Sequence, residues 1–432
     1  MMRPICLPVL AASTLCLLSG CANFRRLGED LRFMERNEVL TGRITNLDVF
    51  EGKRVLVYTF EWDRTANEIR SMDYAELAGA GLYGFFVAHP KDQHMAAYAD
   101  LNRSDRYESG EPFWIHRGPD GQPAPVVDRP TGPDAVGRLS VRESMPDELR
   151  VASADFSGIK HRDELKTGWE IPISLGEVAS FDEARFSSER AATGYWQPAS
   201  YPMETGLGIY FMSKYDASKV PVVLVHGAAG SPRDFEELAR HLDTRRFQVW
   251  FYHYPSGRDL TRMGASLDWG LRVLQETYGF ERAHIVAHSM GGLVARRAIL
   301  DSLEENERTV GRFVSISSPF GGQEGAATGV KRAPAVIPSW RNIEPGSEFL
   351  EDLFDDRLKP RIPHLLIYGD RSSRKMMLPA ENDGTLSVAS MTCPDARKDA
   401  VAVEVFHEDH VSILSNRDVI SRVNGFLLGA NE

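Results

Sequence analysis

The residues able to do covalent chemistry lie in the second half of the chain. Ser289 stands in the string Ala287-His288-Ser289-Met290-Gly291-Gly292, after the apolar run Ala283–Ala287 and before a stretch of helical periodicity. A serine hydroxyl becomes a nucleophile when a base takes its proton and a carboxylate orients that base. Downstream lie two candidate acids, Asp370 and Asp383, and two candidate bases, His407 and His410. Such a set suits attack on a carbonyl through an acyl-serine. Small neighbours matter because a sharp strand-to-helix turn leaves no room beside the hydroxyl. The helix start beneath offers free N–H groups to a developing oxyanion.

Those residues need a frame. From about residue 206 strand and helix patterns alternate, which predicts a mainly parallel sheet with helices on both faces. Val220–Val225 is a continuous apolar run, as a central parallel strand requires. Phe235, Leu238, Ala239 and Leu242 follow at helical spacing. Further strands are expected at 247–252, 283–287, 312–316, 365–368 and 401–406, with helices at 260–278, 291–303 and 419–428. Ser289, both candidate acids and both candidate bases then each lie beyond a strand end.

Residues 21–145 read as a β-rich module, with strand-length runs at 55–60, 81–89 and 138–142, a Pro/Gly-rich loop at 118–133 and no helical periodicity. A small sandwich is expected. Residues 146–205 read as a connector holding one amphipathic helix, 181–193. Within the predicted α/β domain, 206–432, an insertion at about 323–360 carries Val336, Ile337, Trp340, Phe349, Leu350, Leu353 and Phe354. These could cap the serine or simply pack the insertion onto the sheet.

The strand–Ala-His-Ser-Met-Gly–helix string resembles the nucleophile elbow of α/β-hydrolases, with alanine for the first glycine. Val225-His226-Gly227-Ala228-Ala229-Gly230 resembles the H-G-x-x-G of bacterial lipases. The resemblance implies that the Ala228 and Met290 amides form the oxyanion hole, each contributing about 3 kcal/mol. It leaves His226 a buried structural role. Asn382-Asp383-Gly384 resembles the lipase N-D-G, which favours Asp383 as the acid, with Asp370 the rival directly at a strand end. Lipase-like chains place the base just before a short apolar turn, here Val411–Leu414, which favours His410 over His407. Ser317–Gly322 resembles the lipase T-P-H-x-G. The resemblance to bacterial lipases and GPI-deacylase-like α/β-hydrolases covers about residues 206–432. It implies a cofactor-free hydrolase of acyl esters or lipids. Amidases, thioesterases and acyltransferases use the same residues. A non-catalytic envelope protein on this fold would be marked by loss of triad members, and none is lost.

At the other end, Arg3, the apolar run Ile5–Leu18 and Leu18-Ser19-Gly20-Cys21 resemble a bacterial lipoprotein leader. That implies removal of residues 1–20 and acylation of Cys21 with palmitate-type chains, several of which anchor stably. Ala22, next in the chain, resembles the sorting pattern for the outer membrane. A lipid-anchored position in the cell envelope, facing the periplasm, is therefore expected. With Cys6, Cys16 and Cys21 crowded together, no disulfide framework is expected, and Cys393 reads as a small buried apolar residue.

The net charge of −11 excludes a nucleic-acid partner, because phosphates would be repelled. No protein partner is indicated. Asp100, Asn102, Ser104, Glu108 and Glu111 fall at positions one, three, five, nine and twelve of a loop that resembles an EF-hand. Asp105 occupies the position where that loop needs glycine, so a polar turn is the plainer reading. No other metal set is evident.

Overall fold

A computed structural model describes residues 22–77, 81–88, 90–126, 135–153, 156, 170–306, 308–372 and 379–429. The expected leader and Cys21 lie outside the described residues.

The N-terminal region holds two sheets. One joins β1 (Asn37–Ile44), β4 (Leu82–Ala88) and β7 (Ala135–Gly137); the other joins β2 (Arg54–Asp63), β3 (Glu68–Glu76), β5 (Gln93–Asp100) and β6 (Phe113–Ile115). Alternation along β2 decides their packing. Val55 and Val57 join Leu40, Ile44, Phe85 and Val87 from the first sheet. Leu56, Tyr58 and Phe60 face the other way, under Met145, Leu149 and Phe156. The four-stranded sheet is therefore buried on both faces.

Three expectations for this half need correction. The strand placed at 138–142 is Ala135–Gly137, and Ser140 makes only an isolated bridge to Phe113. Residues 22–34 form a helix, although the sequence there shows no helical periodicity. Its Leu27 is buried, and its Asp30 accepts hydrogen bonds from the Ala199 and Ser200 amides at 2.8 and 3.0 Å. The connector supplies β8 (Ile173–Val178), an edge strand of the large sheet. Its helix starts only at Ser188, because Ser187 is extended (ψ 154°) and accepts from the Arg190 amide. A separate short turn, Ala184–Phe186, precedes it.

The large sheet has the order β15-β14-β13-β12-β10-β11-β9-β8. Its remaining strands are β9 (Leu207–Phe211), β10 (Val220–Val225), β11 (Phe247–His253), β12 (Ala283–His288), β13 (Val310–Ile316), β14 (His364–Gly369) and β15 (Ala402–Phe406). Every neighbouring pair is parallel except β9 with β11. This is an α/β-hydrolase fold. Val223, Val225, Ile285 and Ala287 pack beneath helices Leu260–Tyr278 and Gly291–Glu304. Val222, Leu224 and Val286 face Leu238, Val419 and Phe426 on the other side. Leu224→Ala in this doubly covered strand should cost about 2–5 kcal/mol.

The insertion after β13 forms helices Glu324–Arg332, Pro338–Asn342 and Glu348–Asp352. Phe349, Leu350 and Leu353 join the core beside the sheet, and Ile337 is buried too. A fully buried ion pair pins the end of this segment. Arg296 lies 2.6 Å from Asp399, and its Nε donates to the Leu353 carbonyl at 2.6 Å. Asp399 also accepts from the Leu358 and Lys359 amides. Cys393, expected to be buried, is half-buried and free.

Candidate active site

At the carboxyl edge of β12 the chain reverses sharply into helix Gly291–Glu304. Ser289 takes the left-handed conformation, φ +53°, which a side chain rarely adopts. Its amide donates to the Ile316 carbonyl at 2.9 Å, tying the turn to the neighbouring strand. The surrounding glycines are dictated by space. A Cβ on Gly227 would lie 2.7 Å from Ser289 Cβ, and one on Gly291 2.3 Å from the Val225 carbonyl oxygen.

His410, in the loop after β15, brings Nε2 to 3.0 Å from Ser289 Oγ. Its Nδ1 lies 2.6 Å from Asp383 Oδ2. A carboxylate only accepts, so Nδ1 carries the proton and Nε2 is left to receive the hydroxyl's. The sequence around Asp383 explains its placement. Gly384 supplies a positive φ of 90°, and the Asn382 side chain accepts from its amide at 2.8 Å. The turn directs the Thr385 and Leu386 amides onto Asp383 Oδ1 at 2.9 and 2.7 Å. Asp383 is fully buried. Burial alone would raise its carboxyl, but His410 and those two amides outweigh it and hold it below the usual carboxylate range.

The rival groups sit elsewhere. Asp370 and His407 pair with each other at 3.0 Å on the surface, their side chains 44% and 80% exposed. Ser289 is half-buried and His410 buried. Ala228 and Met290 flank the serine in the two turns. Among the described residues neither amide donates to a protein acceptor. His226 is buried, stacks on Tyr254 with ring centroids 4.4 Å apart and accepts the Tyr254 hydroxyl at its carbonyl, 2.7 Å.

One residue of the site had no sequence signal. His288 is buried, and its Nε2 lies 2.8 Å from the His410 carbonyl. Its ring also sits 4.7 Å from the His410 ring. Burial, with His410 beside it, pushes this imidazole down to about 3. A histidine ending an apolar strand reads as core filler, and only the fold brings residues 288 and 410 together.

The Asp100 loop uses its oxygens internally. Asp100 accepts from the Ser104 and Asp105 amides, and Glu111 from the Leu101 and Glu108 amides. Asn102 accepts from the Ser104 amide, the Ser104 hydroxyl donates to the Arg106 carbonyl, and the Arg54 guanidinium lies 3.6 Å from Asp100. Among the described residues no group of three or more His, Cys, Asp or Glu side chains is arranged to hold a metal.

Residues 222–422 match the model of the Alpha/beta hydrolase family. Lysosomal thioesterase PPT2-B of Xenopus laevis is 29% identical over 123 residues, 27% of this chain and 42% of that protein. The match thus spans less than half the length of that relative. Among solved structures, the mature Bacillus licheniformis lipase BlEst2 is 18% identical, covering 51% of this chain and 97% of that one at a TM-score of 0.43. The Pyrococcus furiosus esterase Pf2001 is 20% identical, covering 52% and 85% at a TM-score of 0.37.

Proposed function

We propose that this chain is a serine hydrolase of carboxylic esters, acting on acyl chains of lipid type through Ser289, His410 and Asp383. One observation carries the reading: an unbroken line from hydroxyl to imidazole to buried carboxylate, with spacings of 3.0 and 2.6 Å. His410 Nε2 takes the hydroxyl proton as Ser289 Oγ attacks the ester carbonyl. The Ala228 and Met290 amides stabilise the oxyanion. His410 then returns the proton to the leaving alcohol, which departs and leaves the acyl-serine. Water, deprotonated by the same imidazole, attacks that ester and regenerates the hydroxyl. Asp383 keeps the ring in the useful tautomer throughout.

A thioester is the second reading, suggested by the 123-residue likeness to a thioesterase. Turnover of para-nitrophenyl esters from two to sixteen carbons, beside acyl-thioesters and phospholipids of matched length, separates the two. Turnover rising with chain length on oxygen esters supports the first, and preference for thioesters the second. No turnover of any acyl substrate would remove both.

The apolar leader and Cys21 support a lipid-anchored site in the bacterial envelope, at the periplasmic face of the outer membrane. Palmitate labelling that is lost in Cys21→Ser tests that anchor.

A further inference from the structure

The N-terminal helix does more than lead into the first sheet. Phe24, near its start, packs edge-on against Trp196 at 5.2 Å, and Trp196 against Trp340 of the insertion at 6.2 Å. All three rings are only partly buried. Trp340 also donates its indole N–H to the Tyr195 hydroxyl. From this cluster the contacts run directly toward the serine. The Ser339 amide donates to the Gly257 carbonyl, and the Gly257 amide to Gly194. Ser256 accepts from the Ala229 amide at 2.9 Å, in the turn whose Gly227 abuts Ser289. The start of the helix, the insertion and the oxyanion turn are thus one connected body.

Charge along the helix runs against the chain as a whole. Arg25, Arg26, Arg32 and Arg36 are exposed along or just after the helix, against exposed Glu29 and Glu35. Across a groove lined by Leu31, Met34, Pro334 and Val336, with Glu35 and Asp259 at its edge, stands exposed Arg341, with Lys331 and Arg332 on the adjoining helix end; the exposed acids Glu348, Glu351 and Asp352 lie farther along the insertion. The whole chain carries −11. Partly exposed aromatics beside arginines suit the headgroup layer of a bilayer, where amphipathic rings and cations both settle. The chain preceding the helix supplies direction, since the apolar run Ile5–Leu18 ends three residues before Cys21, itself three residues before Phe24.

We propose that helix 22–34, the Phe24–Trp196–Trp340 cluster and the Lys331–Arg341 stretch of the insertion form a face that lies on an anionic lipid surface, turning the mouth of the Ser289 site toward the membrane. The inference rests on the proposed anchor at Cys21 only for which part of the chain meets the bilayer first. Binding itself belongs to the folded face and persists without acyl chains.

The chain from residue 22, which contains every described element, is mixed with vesicles of ether-linked phosphatidylcholine, with or without ether-linked phosphatidylglycerol. Neither lipid can be hydrolysed at an acyl ester. The face predicts sedimentation with the phosphatidylglycerol vesicles alone, weakened at least tenfold by Arg25→Glu/Arg26→Glu/Arg32→Glu and reversed by salt. Turnover of a soluble short-chain ester should be unchanged in that variant, which shows that it folds. Absence of binding by the unaltered chain at low salt overturns the proposal, and so does equal binding by the variant. If vesicle binding follows the charges but no ester is turned over, the hydrolase reading falls and this face stands.

Discussion

His288 donates its Nε2–H to the main-chain carbonyl of His410 at 2.8 Å, so the residue before Ser289 also holds the imidazole that faces it. With its pKa down at about 3, the ring is neutral at ordinary pH and remains a donor. His288→Phe keeps the ring volume but leaves that carbonyl without its partner and frees the His410 loop. Small misplacements of a catalytic group cost about 10²-fold, so kcat should fall by 10- to 100-fold with KM little changed. His288→Gln, which keeps an N–H donor, should recover most of the loss. Steady-state kinetics on a soluble ester decide it, and full activity in His288→Phe would remove the positioning role.

Asp383→Asn disturbs the imidazole's tautomer without removing bulk. The proposed triad predicts a loss of about 10⁴ in kcat. Asp370→Asn touches only an exposed pair and should stay within about twofold, as surface changes do. Equal losses in both variants would mean that the acid is misassigned.

Gly227 lets the backbone of the neighbouring turn lie directly against the serine. A methyl there would press on Ser289 Cβ at 2.7 Å, a side chain fixed by the turn. Gly227→Ala should therefore lower kcat by about 10²–10³, comparable to loss of an oxyanion donor. A thermal midpoint close to that of the parent chain would separate this from unfolding.

Six buried or half-buried histidines held low predict acid sensitivity. Burial lowers His94, His226 and His284 to about 4, His288 and His364 to about 3, and His253 well below its ordinary value. Unfolded, each titrates near 6.5, so below that pH the unfolded chain binds protons that the folded chain refuses. Stability should be full above about pH 6.5 and fall steadily toward pH 4. Asp383, held low when folded, adds a further loss once pH drops below the ordinary carboxylate value of about 3.9. Thermal midpoints measured from pH 8 to 4 check the slope; a flat profile would contradict it.

The parallel strands were readable because burial on both faces writes them as unbroken apolar runs, and helix Leu260–Tyr278 because both ends are chemically marked. Asp259 accepts from the Arg262 amide at its start, and Gly279 takes φ +70° at its end. Elements lacking such marks escaped. β8 is half exposed and reads Ile-Ser-Leu-Gly-Glu-Val, with no run to notice. Helix 22–34 follows a strongly apolar leader that masks the sparse spacing of Phe24, Leu27 and Leu31. Arg296 shows the deeper limit. An arginine in a helix is ordinarily solvated, and only Asp399, 103 positions away, makes its burial tolerable. The choice of His410 over His407, by contrast, is legible through the short apolar turn Val411–Leu414 after it, and the loop's course brings that ring to Ser289 and leaves the other at the surface.

The central claim is that the hydroxyl of Ser289 is activated by His410, and covalent labelling tests it most directly. A fluorophosphonate should modify the folded chain at residue 289 alone, seen by peptide mass spectrometry. Ser289→Ala should abolish labelling, and His410→Ala should slow it by at least about 10³, because the serine then lacks its base. An unlabelled Ser289 in folded protein, or labelling at the same rate without His410, would contradict the account.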